Sequence, residues 1–199
     1  LNNSSVVLRS PEVAANFAAE FEKMFVQRRF GPNKAPGVPH RRVAIGDAGL
    51  ETYFASADDP SERLVELIRG ARTSIDFMAF SFTHEATGAA VLERSRAGVK
   101  VRGVFETTGS ETRFSEYGML RQAGVEVYQD GNPYVMHHKV FVIDHRITVF
   151  GSFNFSDNAA MSNDENMVVV EDPGFAAAFL EEVERTLAQA KNPARPRAR

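Results

Sequence analysis

The chain contains no cysteine among its 199 residues. This absence excludes disulfides, thiolate zinc sites and cysteine nucleophiles, but it leaves the compartment open. Long hydrophobic runs are also missing, since no stretch approaches the roughly 20 apolar residues that a transmembrane helix needs. Residues 1–30 lack both the basic start and the apolar centre of a signal peptide. The sequence therefore predicts no transmembrane segment and no leader of that type.

An excess of charge of either sign is absent as well. The 23 basic and 26 acidic side chains leave a formal net charge of −3. The protein as a whole has no positive electrostatic potential that would attract a polyanion, so nucleic-acid binding would need a local basic patch. Apolar residues make up 43% of the chain and charged residues 25%, which is ordinary for a soluble globular protein. The length suits one sizeable domain with short extensions.

Most of the chain alternates between predicted strands and helices. The strand-like segments SIDFMAFSFT, VKVRGVFE and VEVYQ are separated by helical segments that end at Gly98 and Gly124. Such alternation is typical of βαβ units, which place parallel strands side by side. Downstream, KVFVID and ITVFGS are predicted to form a hairpin, and ENMVVV is followed by a helix that begins at Pro173. We expect an α/β fold with a mixed, largely parallel β-sheet flanked by helices on both faces.

The segments outside this region have a different character. A helix is predicted from about residue 11 to residue 26, with apolar side chains at helical spacing on one face. Residues 28–42 combine three prolines, two glycines and five basic residues, which is typical of an extended linker. The tail at 191–199 is too rich in proline and basic residues to continue the last helix, and we predict that it is disordered.

The N-terminal segment resembles the C-terminal one when the two are offset by 162 positions. VVLRSPEVAANFAAEFE at 6–22 lies over VVVEDPGFAAAFLEEVE at 168–184, with the apolar stripe at equivalent helix positions. The identical residues are Val6, Val7, Pro11, Ala14, Ala15, Phe17, Glu20 and Glu22. Two alanine-rich helices can produce part of this match by chance. Because the strand and the proline also align, an internal duplication is the favoured interpretation.

The duplication predicts how the chain divides. Residues 1–27 are the C-terminal strand and helix of a preceding half-domain, residues 28–42 are a linker, and residues 43–190 are one complete half. Asn3 occupies the position that matches Glu165, so the two halves of the parent would not be chemically equivalent.

Two pairs of polar residues recur at strand spacing near the hairpin. His137 and Lys139 are two residues apart, and so are Ser152 and Asn154. On a strand such pairs point to the same face about 7 Å apart, so each pair can address one small anion. A phosphodiester needs an in-line nucleophile and donors for its non-bridging oxygens, and these residue types supply both. The sequence has no clustered carboxylates of the kind that magnesium prefers, so we predict neither a metal nor a cofactor.

The spacing HxKxxxxD, followed after six residues by GSxN, resembles that of the phospholipase D superfamily over about residues 42–190. The resemblance implies a phospholipase D/nuclease-like fold and a phosphodiesterase in which His137 is the nucleophile that forms a phosphohistidine. It also implies that the equivalent histidine of a second half protonates the leaving alcohol. That half is either an upstream domain of a longer parent or a homodimer mate.

The resemblance assigns roles to the other motif residues. Lys139 and Asn154 would bind phosphate oxygens, Ser152 would support them, and Glu165 would hydrogen-bond the histidine ring. Asp144 and Gly151 are predicted to support the local structure. Taken singly, these residues have ordinary explanations, such as a solvated edge lysine or an asparagine helix cap, and only the complete set favours a catalytic site.

Several functions fit this set. A phospholipid is the favoured substrate, because the repeat suggests a two-motif parent. The motif is similar also to that of the single-motif bacterial endonuclease, so a metal-independent endonuclease acting on DNA or RNA is the first alternative. A second alternative is a non-catalytic half-domain that docks on a partner half. The sequence does not indicate a compartment.

Overall fold

A computed structural model describes residues 2–193 of the chain. One sheet of eight strands forms its centre, with the strand order β1-β2-β8-β7-β6-β3-β4-β5. The strands are β1 (Arg42–Ile45), β2 (Ala48–Phe54), β3 (Ser74–Ala79), β4 (Lys100–Phe105), β5 (Glu126–Gln129), β6 (Lys139–Ile143), β7 (Ile147–Gly151) and β8 (Asn166–Glu171). The site described below lies where β6, β7 and β8 are neighbours.

Within residues 2–193, seven α-helices connect or cover these strands. They are α1 (Pro11–Phe21), α2 (Pro60–Gly70), α3 (Glu85–Arg96), α4 (Thr107–Ser110), α5 (Glu116–Gln122), α6 (Asp157–Met161) and α7 (Pro173–Lys191). A π-helical turn at Glu22–Val26 extends α1, and a short 3₁₀ turn lies at Gly31–Asn33. Among residues 2–193, no helix combines the length and apolar character that crossing a bilayer requires.

The mixed α/β fold is confirmed, but the expectation of a largely parallel sheet was wrong. Only the β3–β4 and β4–β5 pairs are parallel. The β1–β2, β2–β8, β8–β7, β7–β6 and β6–β3 pairs are antiparallel. Helical crossovers join β3 to β4 and β4 to β5, the two pairs of adjacent parallel strands, whereas β1–β2 and β6–β7 are hairpins. The alternating pattern in the sequence therefore predicted the strand direction correctly for only three of the eight strands.

Helices lie on both faces of the sheet, as predicted. On one face, α2, α3 and α5 pack on a core rich in phenylalanine, in which Phe77, Phe82 and Phe141 are buried and in ring contact. On the other face, α7 packs on side chains of β3, β4 and β6. Burial of both faces explains the continuous apolar runs in the central strands.

Local signals marked several helix ends correctly. Gly98 and Gly124 adopt positive φ angles of 89° and 81° just after α3 and α5, the conformation that commonly ends a helix. The hairpin between β6 and β7 turns through Asp144 and His145, whose φ angles are 53° and 54°. Two residues at positive φ suit a tight hairpin turn, although neither residue is the glycine that such turns favour.

The N-terminal segment lies against the sheet-based domain. The predicted helix at 11–26 is confirmed as α1 and its π-helical extension. Residues 3–10 belong to no strand, and the single pairing in this segment is an isolated bridge from Asn2 to Met136. The division into half-domains stays a prediction. Most of the predicted disordered tail, residues 194–199, lies outside the described residues.

Candidate active site

The antiparallel run of β6, β7 and β8 brings the motif residues to one edge of the sheet. The start of β6, the end of β7 and the start of β8 are neighbours there, because consecutive antiparallel strands reverse direction. A cleft of about 680 Å³ opens at this edge. Its lining includes all five residues predicted to be catalytic, namely His137, Lys139, Ser152, Asn154 and Glu165.

His137 and Lys139 are in direct contact inside the cleft. Lys139 Nζ lies 3.2 Å from His137 Nε2 and donates to the His137 carbonyl oxygen, also at 3.2 Å. The Phe80 ring packs against both, with its centroid 4.6 Å from that of the imidazole and 4.9 Å from the ammonium. A buried cation and an imidazole therefore share one wall of the cleft.

The other ring nitrogen of His137 contacts a residue from the far N-terminus. Asn3 Oδ1 lies 3.2 Å from His137 Nδ1. The backbone supports this contact, because the His137 amide donates to the Asn2 carbonyl oxygen at 2.9 Å. Since an amide oxygen can only accept, we assign the ring proton to Nδ1. Nε2 then carries the lone pair and points at Lys139.

Charge and burial favour the neutral form of His137. Partial burial, followed by the positive charges of Lys139 and His138, lowers the pKa of His137 below its ordinary value of 6.5. Burial also lowers the pKa of Lys139 to about 8, although the Glu165 carboxylate opposes this shift. At a pH above the pKa of His137 and below that of Lys139, the site holds an unprotonated imidazole beside a charged ammonium. Nucleophilic attack on an anion needs this combination.

Ser152 and Asn154 line the same cleft as this pair. Ser152 Oγ accepts from the backbone amide and the side-chain Nδ2 of Asn166, at 3.0 and 3.2 Å, which holds it in place. The Oδ1 atom of Asn154 is buried and has no hydrogen-bond partner among the described residues. An orphaned buried acceptor at the wall of a cleft is suited to a donor supplied by a ligand.

Glu165 does not make the predicted contact with the His137 ring. Within residues 2–193 its carboxylate accepts from Asn163 Nδ2 at 3.1 Å, and Asn3 contacts the imidazole instead. Asn3 takes the place predicted for Glu165, and the two residues are counterparts in the repeat at the offset of 162 positions. Glu165 remains at the cleft with its carboxylate directed to a different neighbour.

Asp144 and Gly151 lie at opposite ends of the β6–β7 hairpin. Asp144 accepts from the backbone amides of Arg72, Thr73 and Ser74, at 2.7 to 3.0 Å. Burial raises the pKa of its carboxyl, but these donors outweigh burial and hold the pKa below its usual range. Gly151 has a φ of 148°, and a Cβ atom there would lie 2.2 Å from the Asn166 carbonyl oxygen. Glycine is therefore required where β7 passes β8 at the cleft.

Sequence reasoning missed two residues of the site. Phe80 has no motif to mark it, and only the fold places its ring against both His137 and Lys139. Asn3 was noted solely as the counterpart of Glu165, and that equivalence was the signal that could have placed it beside a histidine. No group of His, Cys, Asp or Glu suited to a metal ion occurs in the part of the chain that the structure describes.

Comparison with protein families agrees with this geometry. Residues 64–187 match the family model described as "Cardiolipin synthase, PLD-like domain". The chain belongs to the phospholipase D-like family. The human protein named mitochondrial cardiolipin hydrolase is 37% identical over 152 residues, which are 76% of this chain and 59% of that protein. The mouse relative of the same name is covered to 66%, so the chain spans about six tenths of the length of these curated relatives.

Two solved structures share this fold. Nuc from Salmonella typhimurium, a phospholipase D family member, aligns with a TM-score of 0.67 and 29% identity, covering 72% of this chain and 96% of its own. Phosphatidylserine synthase from Haemophilus influenzae aligns with a TM-score of 0.57 and 14% identity, covering 94% of this chain but 47% of its own. The second likeness shows the fold alone, and it extends over more of this chain.

Proposed function

We propose that this phospholipase D-like domain hydrolyses a phosphodiester through a phosphohistidine formed on His137. The observation that carries the proposal is the contact between His137 and Lys139 in the cleft. It places an unprotonated Nε2 atom 3.2 Å from a buried ammonium. A nucleophile and the charge that binds its anionic target are thus positioned before the substrate arrives.

The chemistry divides into two displacements at phosphorus. His137 Nε2 attacks the phosphorus atom, a P–N bond forms, and the bond from phosphorus to the alcohol oxygen breaks. A second histidine, supplied by another phospholipase D-like half, gives a proton to the leaving alcohol and then takes one from water. The water oxygen attacks phosphorus and the P–N bond breaks, which releases the phosphomonoester and restores His137.

The remaining residues of the cleft hold the phosphoryl group. Lys139 Nζ and Asn154 Nδ2 donate to the non-bridging oxygens, and Ser152 keeps the turn after β7 in position through Asn166. Gly151 allows the close passage of β7 and β8, and Asp144 ties the far end of the hairpin to β3. The positive charge comes from the protein, so we expect turnover without a metal ion.

A phospholipid is the substrate that the relatives favour. The matching family model and the 37% identical human protein both bear names that refer to cardiolipin, an anionic lipid with phosphodiester linkages. An endonuclease acting on DNA or RNA is the alternative, and the likeness to Nuc, a structure 29% identical to this chain, supports it. A non-catalytic half that docks on a partner is the third candidate, because this chain supplies only one motif.

Trapping the covalent intermediate tests the proposed reaction. The protein is mixed with a chromogenic phosphodiester in the presence of EDTA, quenched in alkali and digested for mass spectrometry. We expect one phosphoryl group on His137 and an unchanged rate of dye release with EDTA. Loss of turnover in the presence of EDTA would contradict the metal-free mechanism. Parallel assays with a cardiolipin vesicle and with single-stranded DNA then separate a lipase from a nuclease.

The pKa shifts predict a narrow pH optimum. Activity requires neutral His137 and charged Lys139. The value of kcat/KM should therefore rise with pH through an acid limb below 6.5 and fall through an alkaline limb near pH 8. With a nitrophenyl phosphodiester, whose leaving group needs no proton from the second histidine, the alkaline limb reports Lys139 alone. In Lys139→Arg the guanidinium stays charged, so any activity that remains with this substrate should lack the alkaline limb. A wild-type profile that stays flat up to pH 10 would contradict the assigned role of Lys139.

Asn3 is expected to act as a positioning residue for His137. Replacing it with aspartate puts a negative charge beside Nδ1, which stabilises the imidazolium and raises the pKa of His137. The acid limb of the kcat/KM profile in Asn3→Asp should then move up by about one pH unit. Asn192→Asp, at the distant end of α7, is the matched control. If the acid limb lies at the same pH in the two variants, Asn3 does not interact with the imidazole ring of His137.

A further inference from the structure

His138 is a buried histidine that the proposed reaction does not use. It lies between His137 and Lys139, just before β6, where successive side chains of the extended backbone point in opposite directions. His137 and Lys139 contact the Phe80 ring. The His138 side chain is directed to α7 instead, and the residue is 2% exposed. His138 therefore contacts a different part of the protein from its two neighbours in sequence.

Both ring nitrogens of His138 have partners. Nε2 lies 2.9 Å from Glu182 Oε1, and Nδ1 lies 2.9 Å from Ser4 Oγ. Arg185 holds the Glu182 carboxylate in place with contacts of 2.5 and 2.6 Å. Because a carboxylate only accepts, we assign the ring proton of neutral His138 to Nε2, and Nδ1 then accepts from the Ser4 hydroxyl. The imidazole thus joins α7 to the N-terminal segment.

Burial favours the neutral form of His138 that this assignment requires. It lowers the pKa of His138 below its ordinary value of 6.5, although the hydrogen bond to Glu182 opposes the shift. The positive charges of Arg185 and Lys139 act in the same direction as burial. In the neutral ring, the one donor and the one acceptor are both satisfied.

Two successive residues of the N-terminal segment contact the two successive histidines. Ser4 Oγ lies at His138 Nδ1, and Asn3 Oδ1 lies 3.2 Å from His137 Nδ1. Asn3 and Ser4 are both exposed, so little packing holds them where they are. The contact of Ser4 with a buried ring on α7 is therefore well placed to fix the position of Asn3.

We propose that His138, anchored on Glu182, is a positioning residue that acts through Ser4. Ser4 holds the segment that carries Asn3, and Asn3 keeps the ring proton of His137 on Nδ1. The attacking Nε2 atom of His137 then retains its lone pair. The inference rests on the proposed function, because it assumes that His137 is the nucleophile.

Loss of the Ser4 contact should weaken this arrangement without destroying it. When Asn3 moves away, the neutral ring of His137 can carry its proton on either nitrogen, and the tautomer with the proton on Nε2 cannot attack phosphorus. The Lys139 ammonium, 3.2 Å from Nε2, still favours the reactive tautomer. We therefore expect a partial shift between tautomers and a moderate loss of rate.

Two amide substitutions of His138 separate its two contacts. Asparagine places an oxygen near the position of Nδ1, so His138→Asn can still accept from Ser4. Glutamine reaches farther and places an amide nitrogen near the position of Nε2, so His138→Gln can donate to Glu182 but no longer accepts from Ser4. Both variants replace the ring with a buried amide, which matches their cost to the fold.

Nitrogen NMR of the histidine side chains reads the tautomer of His137 without turnover. At a pH where His137 is neutral, we expect the Nδ1–H tautomer in the wild type and in His138→Asn, and a mixture of tautomers in His138→Gln. In His138→Gln, kcat for a chromogenic phosphodiester should fall by about tenfold while KM stays within about twofold. His138→Asn should keep kcat within about threefold of the wild type.

Ser4→Ala tests the same contact from its exposed side, where misfolding is not a concern. It should behave like His138→Gln in both measurements. Ser5→Ala is the matched control, because Ser5 is the next exposed serine and lines the same cleft. It should behave like the wild type.

Equal His137 tautomers and equal kcat values in His138→Gln and His138→Asn would overturn the inference, because His138 would then serve the fold alone. A Ser5→Ala variant as impaired as Ser4→Ala would also overturn it. If the wild type itself does not hydrolyse the phosphodiester, the proposed function fails. The tautomers still decide in that case whether His138 orients the His137 ring.

Discussion

His137→Asn is expected to abolish turnover and phosphoryl-enzyme formation together. The amide side chain is close to imidazole in size but has no nitrogen lone pair that can attack phosphorus. Removal of a covalent nucleophile typically costs 10⁴-fold or more in kcat. We expect the rate of phosphodiester hydrolysis to fall by at least about 10⁴-fold, measured by steady-state kinetics at the pH optimum.

His145→Asn provides the control for this substitution. His145 lies in the turn at the other end of the same hairpin, its side chain is largely exposed, and its nearest charged neighbour is Asp76 at 3.9 Å. We expect its rate to stay within about twofold of the wild-type rate. If His137→Asn kept a tenth of the wild-type rate, another residue would have to be the nucleophile.

Lys139→Met should cause the second largest loss of activity. The methionine side chain fills most of the volume beside Phe80 but removes the cation that binds the phosphate. Loss of one preorganised electrostatic contact to a transition state costs about 10²- to 10³-fold, and more when the donor is charged. We expect kcat/KM to fall by about 10³-fold, measured by steady-state kinetics at the pH optimum.

The same substitution should leave the fold intact. Burial lowers the pKa of Lys139 to about 8, which shows that the folded protein disfavours this charge. Replacing the ammonium with an apolar group removes that penalty, so the unfolding midpoint of Lys139→Met should equal or exceed that of the wild type. Lys100→Met, at an exposed position on β4, should change neither property. A midpoint several degrees lower in Lys139→Met would mean that the lysine supports the fold rather than the chemistry.

Short-range features of the molecule were readable in the sequence. The two-residue spacing of His137 and Lys139 predicted a shared face, and in the structure their nitrogens lie 3.2 Å apart. Gly98 and Gly124 marked the ends of α3 and α5, because the positive φ angle that ends a helix depends on the residue at that position and favours glycine. The helices on both faces were predicted from the alternation of strand-like and helical segments.

Strand direction was decided over longer distances. A run of alternating strands and helices predicts parallel neighbours, and it does so correctly for β3, β4 and β5. The predicted hairpin gave the antiparallel β6–β7 pair. Neither pattern specifies that β6 pairs with β3, that β7 pairs with β8 or that β8 pairs with β2, and all three pairs are antiparallel. Pairing depends on which edges meet in the folded chain, so a pattern confined to one strand cannot specify it.

The site shows the same division. By itself the sequence determined the motif, and with it the nucleophile and cation that we propose, because those residues are close along the chain. The tertiary structure alone decided that Asn3, 134 residues away, meets the His137 ring while Glu165 does not. It also decided that the apolar stripe of α7 is buried, whereas Phe21 and Phe25 of α1 are 56% and 70% exposed. An apolar stripe records that a helix needs a partner, but which surface becomes that partner depends on packing between distant segments.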